Sequence, residues 1–103
     1  MSDEKQQRIA FQVAARSYLE HGGETRYLDK IIAHFGDIAI TEITPFDVKQ
    51  MAQTIYPDQS GATRNRCALG PARAVIIHAY ERGWCPLMRL TRFKQERPRF
   101  GWQ

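Results

Sequence analysis

Apolar residues recur along this chain at helical spacing, in stretches separated by glycine, proline or short polar turns. The longest stretch, Ser60 to Trp84, predicts a helix with Ser60 as N-cap and Gly83 as the left-handed residue that ends it. Ala62, Leu69, Ala72, Ile76, Ala79 and Tyr80 share one face of it, with Arg66 and Arg73 at the edge and Arg64 and Arg82 pointing away. Gly70-Pro71 lies inside this helix, where proline removes a hydrogen bond and presses on the carbonyl of Cys67. One kinked helix is predicted, its apolar face keeping phase across the proline.

Three helices precede it. Residues 4–20 carry an apolar face of Phe11, Ala14, Ala15, Tyr18 and Leu19 and stop at His21-Gly22-Gly23. A second helix is predicted from an N-cap at Thr25, with Tyr27, Leu28, Ile31, Ile32 and Phe35 facing the core and Gly36 ending it. Residues 37–43 read as an extended linker pinned by Ile38, Ile40 and Ile43, because no second strand is available to pair with it. Thr44-Pro45-Phe46-Asp47 is a helix start, and Val48, Met51, Ala52 and Ile55 form the face that follows, up to Tyr56-Pro57. After the long helix, Trp84 to Met88 is apolar enough to fold back onto the core.

Composition narrows the class. A chain of 103 residues, 43% hydrophobic and 25% charged, has the balance of one globular domain with a single modest core. No apolar run approaches the roughly 18 residues of a membrane span, and the opening MSDEKQQR is no signal peptide, so a soluble intracellular protein without a membrane partner is expected. Cys67 and Cys85 are too few for a disulfide framework and read as free thiols. His21, His34 and His78 lack metal-ligand spacing with them, so neither zinc nor any other cofactor is expected. Tyr18, Tyr27, Tyr56 and Tyr80 read as core residues, and no nucleophile–base pair, metal set or phosphate loop points to an enzyme.

Charge changes the picture once divided. Residues 1–63 hold six Lys/Arg against nine Asp/Glu, a net of −3, whereas residues 64–103 hold nine against two, a net of +7. Such polarity suits an acidic partner, nucleic acid first. Arginine in the first turns of a helix opposes the macrodipole, so Arg64 and Arg66 are not there for helix stability. With Thr63 and Asn65 they are candidate DNA contacts, as are Arg73 and, from the second helix, Arg26 and Lys30. Against this stand structural roles: helix capping for Thr63, a polar contact at the core edge for Asn65, and side chains lying over the apolar face for Arg66 and Arg73. Beyond residue 88 the chain turns basic, and Arg89, Arg92, Lys94, Arg97 and Arg99 suit contact along a phosphate backbone.

The order HFGD, ITEITPFDV, ATRNR and AYERGW, over residues 8–88, resembles the N-terminal core-binding domain of phage-integrase-type tyrosine recombinases, also called SAM-like. Pro71 and Cys67 depart from that family's pattern. The resemblance implies an all-α bundle of four to five helices that contacts the major groove of double-stranded DNA. It implies a core-binding domain over residues 1–88 and a basic linker over 89–103, leading to a catalytic domain that closes the clamp and carries the tyrosine nucleophile. On this reading the chain is a non-catalytic DNA-binding part of a recombinase. It would be monomeric in isolation, bacterial or phage-encoded, cytoplasmic, and nucleoid-associated in use. The alternative is a helical protein-interaction module for an acidic partner or for oligomerisation, anchored by Trp84, Phe93, Phe100 and Trp102.

Overall fold

The computed structural model describes residues 8–93, and among them the fold is an all-α bundle of four helices with no strand. Helix α1 spans Phe11–Glu20, α2 Leu28–Phe35 and α3 Pro45–Ile55, with a 3₁₀ turn at Ile40–Glu42. Helix α4, residues 61–81, is continuous but changes gauge: an α turn Gly61–Arg64, a π segment Asn65–Leu69 and an α segment Gly70–Glu81. All the junction residues keep right-handed helical dihedrals.

The start of α1 corrects the expected helix from residue 4: within the described residues it begins at Phe11. Residues 9–12 instead pair with the loop before the 3₁₀ turn. Phe11 and Gln12 donate to the carbonyls of Ile38 and Gly36 at 2.8 and 3.0 Å, and Ile40 donates to Ile9 at 2.8 Å. These bonds satisfy amides that a helix N-terminus leaves orphaned, which explains the absence of a side-chain cap. They also correct the linker reading, since Ala10 and Ala39 form an isolated antiparallel bridge and Ile38 is exposed, while Ile40 and Ile43 are buried as expected.

Helix α2 starts at Leu28, not after Thr25. Tyr27 precedes it in a left-handed conformation (φ 70°), and the Thr25 carbonyl accepts from Leu28 at 3.1 Å. Helix α3 starts as the sequence predicts. Thr44 Oγ1 accepts from the Asp47 amide at 3.1 Å, Asp47 Oδ2 accepts from the Thr44 amide at 3.0 Å, and Pro45 occupies the first turn.

The π segment is the bundle's answer to Pro71. Gly70 donates to the Asn65 carbonyl, five residues back, and the widened turn brings Pro71 into the first positions of a new α segment, where a missing amide proton costs little. A side chain at Gly70 would meet that carbonyl oxygen at 3.3 Å, so the tight bond favours glycine. The helix then closes with the amides of Trp84 and Gly83 on the carbonyls of Ala79 and Tyr80, a Schellman pair that requires the positive φ of Gly83.

The core gathers Phe11, Ala14 and Ala15 of α1, Leu28, Ile31 and Phe35 of α2, and Val48, Met51 and Ala52 of α3. From α4 it takes Ala68, Leu69, Ala72, Val75, Ile76 and Ala79. Ala62, separated by the π segment from the rest of the expected face, is only half-buried, while Ala68 is inside, and Val75 is inside at regular helical spacing from Ala72, Ile76 and Ala79. Tyr80 is 45% exposed, off the face assigned to it. Trp84, Cys85 and Met88 pack onto the core as anticipated, whereas Leu87 is 61% exposed.

Candidate nucleic-acid interface

Gly70, exposed at the junction of the π and α segments, borders three shallow surface depressions, and Arg73 lines one with His21, Glu24, His78 and Glu81. Tyr18, Glu24, Arg26, Tyr27, Arg66 and Pro71 line a second. Leu69, Arg73, Leu90 and Arg92 line the third, above Asn65. Four exposed guanidinium side chains from four separate segments thus surround one glycine: the turn before α2, the π segment, the last α segment and the chain after the bundle. Among the described residues the single ion pair is Arg8 with Glu42, at 3.4 Å, so none of the four is paired with a carboxylate there.

The π segment also decides how these arginines are distributed. In a regular helix Arg66 and Arg73, seven apart, would lie on nearly the same face. One inserted residue turns them apart by about 100°, which accounts for Arg66 joining Arg26 while Arg73 joins Arg92. Tyr27 contributes a further oddity. A non-glycine residue in the left-handed region costs on the order of 1–2 kcal/mol, and here the guanidinium of Arg26 lies 5.8 Å from its ring centroid. Strain of this kind is held in place where surrounding structure over-determines it.

The other expected contacts are engaged elsewhere. Arg64 is half-buried: Nε donates to the Tyr56 carbonyl at 2.9 Å and Nη2 to the Pro57 carbonyl at 2.7 Å. It thereby caps the C-terminal end of α3, whose last carbonyls have no helical partner. Asn65 makes the polar contact at the core edge that the sequence offers as its structural role. It is 6% exposed, and its carbonyl oxygen accepts from the Phe93 amide at 2.7 Å while its amide donates to the Phe93 carbonyl at 3.1 Å. Thr63 serves the cap, its amide donating to Ser60 Oγ at 3.2 Å and its hydroxyl accepting from the same group at 3.3 Å. Lys30 lies over the Tyr56 ring at 5.6 Å, outside these depressions. Arg89 is exposed beside an apolar depression formed by Ile40, Ile43, Pro45 and Leu87. Lys94, together with Arg97, Arg99, Phe100 and Trp102, lies outside the described residues.

Sequence reading missed Lys49. Its ammonium lies 5.1 Å from the Phe93 centroid and the Arg64 guanidinium lies 5.5 Å from it, so one ring attracts two cations. Periodicity marks Lys49 only as a polar residue beside Val48, and no local signal joins it to a residue 44 positions on.

A second cluster lies where α1 meets the end of α4. Ser17 Oγ and His78 Nε2 share a hydrogen bond at 2.8 Å, and His21 lies 5.3 Å from His78, ring to ring. Burial holds His78 below its ordinary value of 6.5, the neighbouring His21 and Arg82 add to this, and Glu81 opposes it. Burial likewise raises the Cys85 thiol. Among the described residues no three His, Cys, Asp or Glu side chains come together to hold a metal. Nor is any described helix long and apolar enough to cross a membrane. No family model, curated protein or solved structure matches this chain.

Proposed function

We propose that this chain is a helical module that grips double-stranded DNA through its phosphate backbone, without itself supplying catalytic groups. In this reading it is the core-binding part of a tyrosine-recombinase clamp, with a recombinase catalytic domain as its partner. The observation that carries DNA binding is the set of Arg26, Arg66, Arg73 and Arg92 around Gly70, exposed and with no carboxylate paired to them among the described residues. Guanidinium groups recognise phosphate oxygens in bidentate geometry, and a glycine between them lets a backbone approach closely. What favours the recombinase assignment is the resemblance in the order of sequence segments around α2, α3 and α4.

Four phosphate contacts give a salt slope of about −3.6, so affinity should fall about two orders of magnitude from about 50 mM to about 200 mM salt. The test is fluorescence anisotropy with a mixed-sequence duplex, comparing R66Q/R73Q with R8Q/R16Q. Both pairs remove two charges, but only the first removes groups beside Gly70. Equal weakening by the two pairs would mean that binding follows net charge and not this surface.

A protein-interaction module is the second reading, favoured by Phe46 at 69% exposure and Leu87 at 61%, with an apolar depression lined by Pro45 and Leu87. Under it, F46A/L87A would abolish binding to a partner and R66Q/R73Q would not.

A further inference from the structure

The described part of the basic segment, residues 89–93, is not a free arm. Leu90 and Phe93 pack against the core. The Phe93 backbone is held at both its amide and its carbonyl by one side chain, that of Asn65. Asn65 is itself buried and sits at the first position of the π segment. A second hold acts on the side chain, with the Lys49 ammonium 5.1 Å and the Arg64 guanidinium 5.5 Å from the Phe93 ring centroid. Arg92 is the adjacent residue, and it lines one depression together with Arg73 and Asn65.

We propose that Asn65 is a positioning residue for an anion site: by gripping residue 93 it holds Arg92 beside Arg73, so that two guanidinium groups 19 positions apart in sequence act on one phosphate. This rests on the DNA-binding reading and assigns that surface a part supplied by the chain after the bundle. The chemistry is that of a two-fork phosphate clamp. An asparagine suits the task because the backbone of one residue offers one donor and one acceptor, and an amide side chain matches both. Substitutes lacking either group leave one of the Phe93 polar groups without its partner. Because the grip carries no charge, its loss weakens anion binding without altering net charge, which separates positioning from simple electrostatics.

The test is a double-mutant cycle on duplex binding, using N65L and R92Q, with N65A as a second way of removing the grip and F93A as a control that keeps it. Circular dichroism checks folding, and the amide resonance of residue 93 reports whether the segment is held. N65L should shift that resonance toward its unstructured position and weaken binding about eightfold at about 0.1 M salt, the effect of one lost phosphate contact. The salt slope should fall by about 0.9. R92Q alone should do the same, and R92Q added to N65L should cost nothing further, because a released Arg92 no longer contributes. F93A, which keeps both Asn65 bonds and loses only the ring contacts, should weaken binding less than N65L, and N65A, which removes the same two bonds, decides the matter if N65L does not fold. Additive losses for N65L and R92Q would overturn the proposal, as would a displaced residue-93 resonance with undiminished binding, or a resonance that stays in place in N65L. Wild-type chain that fails to bind duplex overturns the DNA reading and this inference together. Wild-type binding with an unaffected N65L overturns the inference alone.

Discussion

Replacing Arg64 with alanine should destabilise the bundle, and replacing Arg66, two residues on, should not. Arg64 makes two hydrogen bonds from a charged donor, at 2.9 and 2.7 Å, to the carbonyls that end α3, and lies 5.5 Å from the Phe93 ring centroid. Fully buried charged bonds contribute about 1.5–3 kcal/mol each. Here Arg64 is half-buried and Pro57 is exposed, so water recovers part of the loss in the variant. Counting each bond at roughly half the lower end of that range, about 0.75 kcal/mol, with about 0.5 kcal/mol for the ring contact, gives a cost of about 2 kcal/mol. Arg66 is exposed and makes no hydrogen bond among the described residues, so Arg66→Ala should stay within about 0.5 kcal/mol of the parent. In urea denaturation followed by circular dichroism, an m-value of about 1.3 kcal/mol/M makes the Arg64→Ala shift about 1.5 M in midpoint. Arg64→Lys should recover less than half of it, since a point ammonium cannot reach both carbonyls as a planar fork does. Equal midpoints for Arg64→Ala and Arg66→Ala would refute the capping role.

Two further outcomes concern the fold. The folded protein resists protonation of His78, so the unfolded chain binds the extra proton as pH drops; the stability contribution is complete above the ordinary value of 6.5 and is lost as pH falls below it toward the folded value. Urea midpoints measured between about pH 7.5 and about pH 5.5 should therefore fall in the parent and fall less in His78→Gln, and identical pH profiles would contradict this. Thr44→Ala removes one bond of the reciprocal pair with Asp47 and should cost about 1 kcal/mol, read as a lowered midpoint with an unchanged m-value.

The features legible in the sequence are those whose physics is local. Thr44, Pro45 and Asp47 meet within one turn, and Gly83 ends α4 through bonds to residues a few positions back. The buried stripes of α1, α2 and α3 follow from 3.6-residue spacing, and the all-α character follows from them. Arg64 and Asn65 were legible as polar residues near a helix start, but their partners lie eight and 28 residues away, where spacing carries no information. Pro71 announced a disturbance in α4 without showing its form. A π segment inserts a residue that regular periodicity does not count, which turns Arg66 away from Arg73 and toward Arg26, whereas Val75 and Tyr80 lie beyond it and are placed by ordinary 3.6-residue spacing from Ala72, Ile76 and Ala79. Tyr27 gives no sign of its left-handed backbone, a conformation that favours glycine or asparagine, so the sequence places the N-cap of α2 two residues early.

The central claim is that the arginines around Gly70 form a phosphate-binding surface. Titrating the chain with a mixed-sequence duplex while following backbone amide shifts, at low and at physiological salt, tests it most directly. The account predicts shifts concentrated at Arg26, Arg66, Gly70, Arg73 and Arg92 that fade as salt rises, with Phe46 and Leu87 unmoved. Absence of shifts at both salts, or shifts centred on Phe46 and Leu87, would contradict it.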